Sequence, residues 1–335
     1  MAHEVTAADF CAACGAGNLA LVRELLALGG NQLIDVHADD ERCFRAACRG
    51  GHLGVVCELL ALEGDRRIDV HAKEESGFRR ACLSGHLSLV CHLLALDGDR
   101  RIDVHARADG CFHAACSNGN VGVLRVLLAL EGDRHADVRA NNDYAFREAC
   151  DCGHLGVVRE LLALEGGRRI DVHADDEGGF RWACQHGHLD VVCELLALDG
   201  DRRIDVHIDN EVGFRWACRH GHLGVVCELL ALDGNRLVDV HAGDEGGMLE
   251  ACYYNHLSIV RELLSLQGNR APHIQRVARP LRQLLARQLQ LGAGQRLPVF
   301  PHLLRGSGIP QAILEASMKE ACVNETHDWP APAKN

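Results

Sequence analysis

The chain has 335 residues, 47% of them hydrophobic and 4% aromatic, and a formal net charge of −12. The apolar share suits a packed protein, and the scarcity of aromatics suits helices packed through small aliphatic side chains. The acidic balance argues against nucleic acid as a partner, because displacing phosphate counterions needs a basic footprint.

The first element is expected to start at Thr6-Ala7-Ala8-Asp9, which reads as a helix capping box. From Gly17 onward one pattern returns every 34 residues, through Gly51, Gly85, Gly119, Gly153, Gly187 and Gly221 to Asn255, without an insertion. Its clearest copy is Gly187-His188-Leu189-Asp190-Val191-Val192-Cys193-Glu194-Leu195-Leu196, and an Ala-Cys pair such as Ala183-Cys184 precedes every copy. Self-similarity at this period marks a stacked-repeat protein whose units bury their faces against neighbours only.

Repeat six shows the unit in chain order. Phe180, Ala183 and Cys184 fall at i, i+3 and i+4, which predicts one face of a short helix. Gly187 closes it, as the left-handed position after a helix end prefers. Leu189, Val192 and Leu196, flanked by Val191 and Leu195, form the apolar face of a second helix that Asp199-Gly200-Asp201 stops. Arg202 to His207 reads as a short extended connector with Ile204 and Val206 on one side.

The order helix, turn, helix, connector resembles the ankyrin repeat over roughly residues 6–270. The residues that carry the resemblance are Ala-Cys-x-x-Gly-His-Leu-x-Val-Val-x-x-Leu-Leu followed by Asp-Val-His-Ala. Two departures stand out. The Thr-Pro-Leu-His signature is replaced by Gly178-Gly179-Phe180-Arg181, so its capping hydrogen bonds are absent. Residues have also moved from the β-hairpin finger, here Asp205 to Phe214, to the loop after the second helix, here Leu196 to Asp205. The resemblance implies an all-α, ankyrin-type helix-turn-helix solenoid of eight 34-residue repeats with a helical C-terminal cap.

The solenoid is expected over residues 1–270, a helical C-terminal cap or appendage over 271–325 and a flexible terminus over 326–335. Ile274, Val277, Leu281, Leu284, Leu285 and Leu289 predict an amphipathic, Arg-rich helix. A last helix is expected at Gln311–Val323, where Met318-Lys319-Glu320-Ala321-Cys322 echoes Met248-Leu249-Glu250-Ala251-Cys252. Residues 270–335 carry nine Lys/Arg against four Asp/Glu, so the acidity lies in the repeats.

Eight of the seventeen cysteines are one repeat position. Helices stacked about 8–10 Å apart hold equivalent cysteines beyond the ~7 Å between Cα atoms that a disulfide tolerates, so those cysteines read as small buried hydrophobes. The absence of a signal-peptide h-region and of a membrane-spanning apolar run points to the cytoplasm or nucleus. Twelve of the 21 histidines occupy repeat positions. A ladder with one His per ~10 Å step cannot converge on zinc at ~2.0–2.1 Å, so these histidines read as structural hydrogen-bonders. Cys11-Ala12-Ala13-Cys14 lacks a second pair at matching spacing, and no phosphate loop, catalytic acid pair or Cys/His dyad recurs at motif spacing. No enzyme, metal or cofactor is expected. Arg66-Arg67, Arg100-Arg101, Arg168-Arg169 and Arg202-Arg203 either neutralise Glu63, Asp65, Asp99 and Asp201 or dock an anionic partner.

In ankyrin proteins the concave binding face is built from the two residues after the Ala-Ala pair and from the hairpin tips. On the matching positions of repeats six to eight stand Gln185, His186, Arg219, His220, Tyr253 and Tyr254, with Trp182 and Trp216 two residues before the cysteine. Trp, Tyr and Arg are enriched at interface hot spots. The expected function is a monomeric, non-enzymatic scaffold without membrane insertion that seats a protein partner on these eight residues. The rivals are an adaptor whose basic region 274–305 recruits an effector and a regulatory subunit of an enzyme complex. At a further free position Arg and Cys alternate, as at Arg23, Cys57, Cys91 and Arg125.

Overall fold

The structure is a computed structural model that describes residues 6–28 and 33–294. Among the described residues there are seventeen α-helices and no strand. The chain divides into two compact units, Met1–Ala174 and Asp175–Asn335. The first holds five helix pairs: α1 (Ala7–Gly15) and α2 (Leu19–Leu26), α3 (Ala38–Gly50) and α4 (Leu53–Leu60), α5 (Ala72–Leu83) and α6 (Leu87–Leu94), α7 (Ala106–Ser117) and α8 (Val121–Leu128), α9 (Ala140–Asp151) and α10 (Leu155–Leu162). The second holds three: α11 (Ala174–His186) and α12 (Leu189–Leu196), α13 (Ile208–His220) and α14 (Leu223–Leu230), α15 (Ala242–Tyr253) and α16 (Leu257–Ser265), followed by α17 (Ile274–Gly294).

Packing follows the repeat. In the first unit α1 lies on α3, α3 on α5, α5 on α7 and α7 on α9; in the second, α13 lies on α15 and α15 on α17. Phe44, Phe78, Phe112, Phe146 and Phe180 are each 1% exposed, and the Ala-Cys pairs beside them are buried. Small residues at that pair let successive first helices approach closely while the Phe fills the space between repeats. Val191, Val192, Leu195 and Leu196 bury the facing side of α12 as their spacing requires. The Thr6–Asp9 capping box is present, and Gly187 closes α11 with φ +76°. A Cβ at Gly187 would also lie 2.3 Å from the ring of His222 in the next repeat, so both backbone and packing demand glycine.

The connector is not a strand. Gly200–Arg202 forms a 3₁₀ turn, after which Ile204 and Val206 bury their side chains. Where the family has its hairpin finger, three consecutive residues adopt left-handed φ: Asp175 (58°), Asp176 (51°) and Glu177 (59°) in repeat six. Each such L-residue costs about 1–2 kcal/mol, and Asn, Asp and Gly tolerate the conformation best. That preference accounts for Asp39-Asp40, Asn141-Asn142, Asp175-Asp176, Asp209-Asn210 and Gly243-Asp244 at the first two positions, whereas Lys73-Glu74 and Arg107-Ala108 adopt the same conformation without it. The acidic clusters are therefore local backbone chemistry, and their third residue does different work.

That third residue is a buried carboxylate clamped between repeats. Glu41 Oε1 accepts from its own repeat's His37 Nδ1 at 2.6 Å and from the backbone amide of Asp69 in the next repeat at 3.2 Å. His37 Nε2 reaches the Asp65 carbonyl at 2.8 Å. The same set returns as His71, Glu75, Asp103 and Asp99 and, in the second unit, as His207, Glu211, Asp239 and Asn235. Both ring nitrogens face an acceptor, so the ring satisfies both partners only as imidazolium. Accordingly Glu41 raises the pKa of His37, Asp109 that of His105 and Glu211 that of His207. Repeat five places Arg139, a permanent cation, at this position beside Asp143.

The predicted helix after repeat eight is present as α17, which buries Val277, Leu281, Leu284 and Leu285. Arg276 pairs with Asp244 and ties α17 to the left-handed turn of repeat eight. The helix expected at Gln311–Val323 and the terminus from 326 lie outside the described residues.

Replacing Glu211 by Gln should destabilise the second unit by about 1.5–3 kcal/mol at pH 6, the scale of a hydrogen bond to a charged group. The ladder histidines have folded-state pKa values above the unfolded one. Their contribution is complete below about 6.5 and is lost as pH rises through the folded value. His71→Arg and His207→Arg, imitating Arg139, should flatten that alkaline loss in urea-denaturation curves taken between pH 6 and 9; an unchanged slope would contradict the imidazolium assignment.

Candidate functional site

All eight residues singled out for partner binding fall in the second unit, on α11, α13 and α15 and the turn after α15. Trp182, Trp216, Gln185, Tyr253 and Tyr254 are half-buried, while His186, Arg219 and His220 are exposed. The Arg219 guanidinium stacks over the Tyr254 ring at 5.1 Å, and Tyr254 meets Tyr253 edge-on at 5.0 Å. Glu250 lies 3.9 Å from Arg219, too loose and too exposed to occupy the cation strongly. Trp216 is covered from the preceding repeat by Arg181 at 6.0 Å. The sequence marked Arg181 only as part of the Gly-Gly-Phe-Arg departure. Its side chain is 16% exposed, between Asp175 and Asp209.

A histidine edge borders these aromatics. His222 Nε2 donates to the Gln185 carbonyl at 2.8 Å and His256 Nε2 to the Arg219 carbonyl at 2.9 Å, each stapling the end of the previous repeat's first helix. One donor nitrogen suffices for this bond, which a neutral imidazole can supply. His220 stacks on His222 at 6.2 Å. Burial first, then Arg219 and the neighbouring histidines, lowers the pKa of His220; burial likewise leads for His222. In repeat four Asn120 makes the equivalent bridge, Nδ2 to the Leu83 carbonyl at 2.8 Å.

The equivalent face of the first unit has another character. Arg45, Arg49, Lys73, Arg79, Arg80 and Arg107 line an open groove of about 960 Å³. Burial and the Arg107 charge lower the pKa of Arg79. Lys73 and Arg107 are paired with Asp40 and Glu74. Arg80 meets only the Ser76 hydroxyl, and among the described residues Arg49 has no acidic partner. The net charge hid this surface, because the acids sit in the left-handed turns and the cations gather on one face.

The Arg-Arg pairs are used within the fold, which favours neutralisation over anionic docking among the two readings of their sequence. The first Arg caps the previous repeat's second helix: Arg66 donates to the Leu26 carbonyl at 3.1 Å, Arg100 to Leu60 at 2.7 Å and Arg168 to Leu128 at 3.1 Å. A cation at that helix end also opposes the macrodipole. The second Arg grips the next repeat's acid in a fork, Arg67 on Asp99 and Arg101 on Asp133. The Arg/Cys alternation gains a partial account: Arg23 pairs with Glu58 and Arg125 with Glu160 across repeats, whereas Cys57 faces His92 at 3.6 Å. Nothing in the structure explains Cys193 and Cys227, which precede Glu228 and Glu262.

One histidine cluster does converge, contrary to the spacing argument, because it recruits a residue from outside the ladder. His241, Glu245 and His273 bring three donor atoms within 4.8 Å. His273 stands where the other repeats have the connector Asp, and both rings turn Nδ1 to Glu245 Oε1, at 2.7 and 2.5 Å.

Tandem helix pairs locked by inter-repeat clamps, with variable residues on one face, define an all-helical repeat array of the protein-interaction class. Residues 78–176 match the family model described as ankyrin repeats (3 copies), and no curated protein matches the chain. That stretch carries ankyrin repeats, a kind of repeat that generally mediates protein–protein interaction.

The histidine edge adds an acid-side dependence of stability. A histidine whose folded pKa is depressed contributes fully above the unfolded value near ~6.5 and loses that contribution as pH falls through the folded value. His222→Asn, imitating Asn120, should keep the staple and reduce the loss of stability between pH 6.5 and 5, measured by thermal melts; an unaltered acid slope would place the titrating groups elsewhere.

Proposed function

We propose that the protein is a non-enzymatic, monomeric scaffold that seats a partner protein on repeats six to eight, on the surface corresponding to the family's concave face. The observation that carries this reading is the run Trp182, Trp216, Arg219, Tyr253 and Tyr254 on consecutive repeats, with Arg219 presented on an aromatic platform and only loosely paired. Large half-buried rings bury much area at little entropic cost, and an Arg stacked on a ring is already ordered for binding. Gln185, His186 and His220 would form the polar rim. Among the described residues no helix is long and apolar enough to cross a membrane, and we place the protein in the cytoplasm or nucleus. The adaptor alternative rests on region 274–305, of which residues 295–305 lie outside the described part.

The double variant Arg219→Ala with Tyr253→Ala should retain the circular dichroism melt and weaken partner binding, with each truncation contributing about 1–4 kcal/mol. Crosslinking and mass spectrometry in the native cell would supply the partner, and isothermal titration the affinities. Wild-type affinity in the double variant would move the binding surface off repeats six to eight.

The groove of the first unit supports a second reading, an acidic segment of the same or another partner docked on repeats two to four. Arg49→Glu with Arg80→Glu should weaken such binding and flatten its dependence on salt. Equal affinity at low and high salt for wild type and variant would exclude the groove.

A further inference from the structure

The cysteines of the first unit carry more than packing. Two of them, Cys43 and Cys111, lie outside the repeated Ala-Cys position, and each follows a ladder cysteine, Cys14 or Cys82, by 29 residues. The structure assigns that register to direct contact across a repeat boundary. In repeats where the same position is glycine, an added Cβ at Gly77 would lie 3.3 Å from Cys48 Sγ, at Gly213 3.3 Å from Cys184 Sγ and at Gly247 3.3 Å from Cys218 Sγ. A disulfide, with S–S near 2.05 Å, sets each Cβ about 3 Å from the far sulfur. The position therefore already holds the separation that a disulfide needs.

Both pairs are built as the same buried relay. The Cys14 and Cys43 side chains interact across the repeat boundary, and the Cys43 thiol donates to the Val36 carbonyl at 3.1 Å. Cys82 is hydrogen-bonded to Cys111, whose thiol donates to the Val104 carbonyl at 2.9 Å. The four side chains are between 0% and 3% exposed. The bar on disulfides between equivalent cysteines still holds; these partners are not equivalent.

We propose that Cys14–Cys43 and Cys82–Cys111 are two oxidation sites at which hydrogen peroxide converts a buried dithiol into a disulfide, joining repeat one to repeat two and repeat three to repeat four. Cys43 is the attacking sulfur of the first pair. The Cys14 hydrogen bond holds the Cys43 thiol below its ordinary pKa in spite of burial. Its thiolate attacks one peroxide oxygen, the O–O bond breaks, and a sulfenic acid and the first water form. The Cys14 thiol then attacks the sulfenic sulfur, the S–S bond forms, the S–O bond breaks and a second water leaves. Two thiols lose two electrons and the peroxide is reduced to two waters. Because the sulfurs are buried, reaction waits on local opening.

The other cysteines serve as internal controls. Cys48, Cys184 and Cys218 are buried without a second thiol at the matching position, and Cys57, Cys91 and Cys152 are exposed. In the test, the full chain is treated with hydrogen peroxide, quenched with iodoacetamide and mapped by non-reducing peptide mass spectrometry. The expected result is two intramolecular cross-linked peptides, Cys14–Cys43 and Cys82–Cys111, with a rise of several degrees in Tm that dithiothreitol reverses. Cys43→Ala with Cys111→Ala copies the native Ala145, which is 1% exposed at this position. That variant should melt like the reduced protein and show no rise. If it fails to fold, the wild-type peptide map still decides. Alkylation of all four cysteines after peroxide, with oxidation confined to Cys57, Cys91 and Cys152 or to intermolecular bonds, would overturn the proposal.

Discussion

The array depends on a carboxylate held out of water at each repeat boundary. Glu41, Glu75 and Glu211 accept a proton donor from their own repeat and a backbone amide from the next, so one atom ties local turn geometry to inter-repeat register. The left-handed turn brings the carboxylate to that point. Its conformational cost is met by a charge-assisted bond in a site of low dielectric. Hydrophobic burial supplies most of the stacking energy, but it is non-directional. The clamp sets which residues meet.

Two histidine ladders run through the same repeats and behave oppositely toward protons. The connector histidines face acceptors on both nitrogens and hold a charge. The turn histidines face one carbonyl each, and burial lowers the pKa of His222. Stability is therefore drawn down from both sides of neutrality, by deprotonation of the first ladder and protonation of the second. The repeats contain their own comparisons: Arg139 stands in for a charged histidine, Asn120 for a neutral one. Each substitution preserves the proton state that its site demands.

Function is written on what the clamps leave free. The same helix faces that carry Arg49, Arg79 and Arg80 in the first unit carry Trp182, Trp216 and Tyr253 in the second. Stacking contacts are satisfied by invariant Phe, Ala, Cys, Val and Leu, so the outward positions are free to differ without loss of fold. Net charge says little about such a molecule, since many acids lie in the turns while cations gather on one helix face of the first unit.

The sequence by itself determined the repeat length, both helices of every unit, the buried Phe and Val-Leu positions, the Gly187 turn, the Thr6 cap and the amphipathic character of α17. All of these follow from periodicity or from local backbone chemistry within one repeat. Only the tertiary structure decided the rest: that Glu177-type acids are buried while Asp175-type acids are not, that the Arg pairs cap helices and grip acids instead of facing a partner, that His273 joins Glu245, and that Cys14 touches Cys43. Each of these pairs residues 28 to 40 positions apart. A repeat of 34 predicts which equivalent residues align, but the offset at which non-equivalent side chains meet is set by how far one repeat is rotated and shifted against the next, and that is a property of packing.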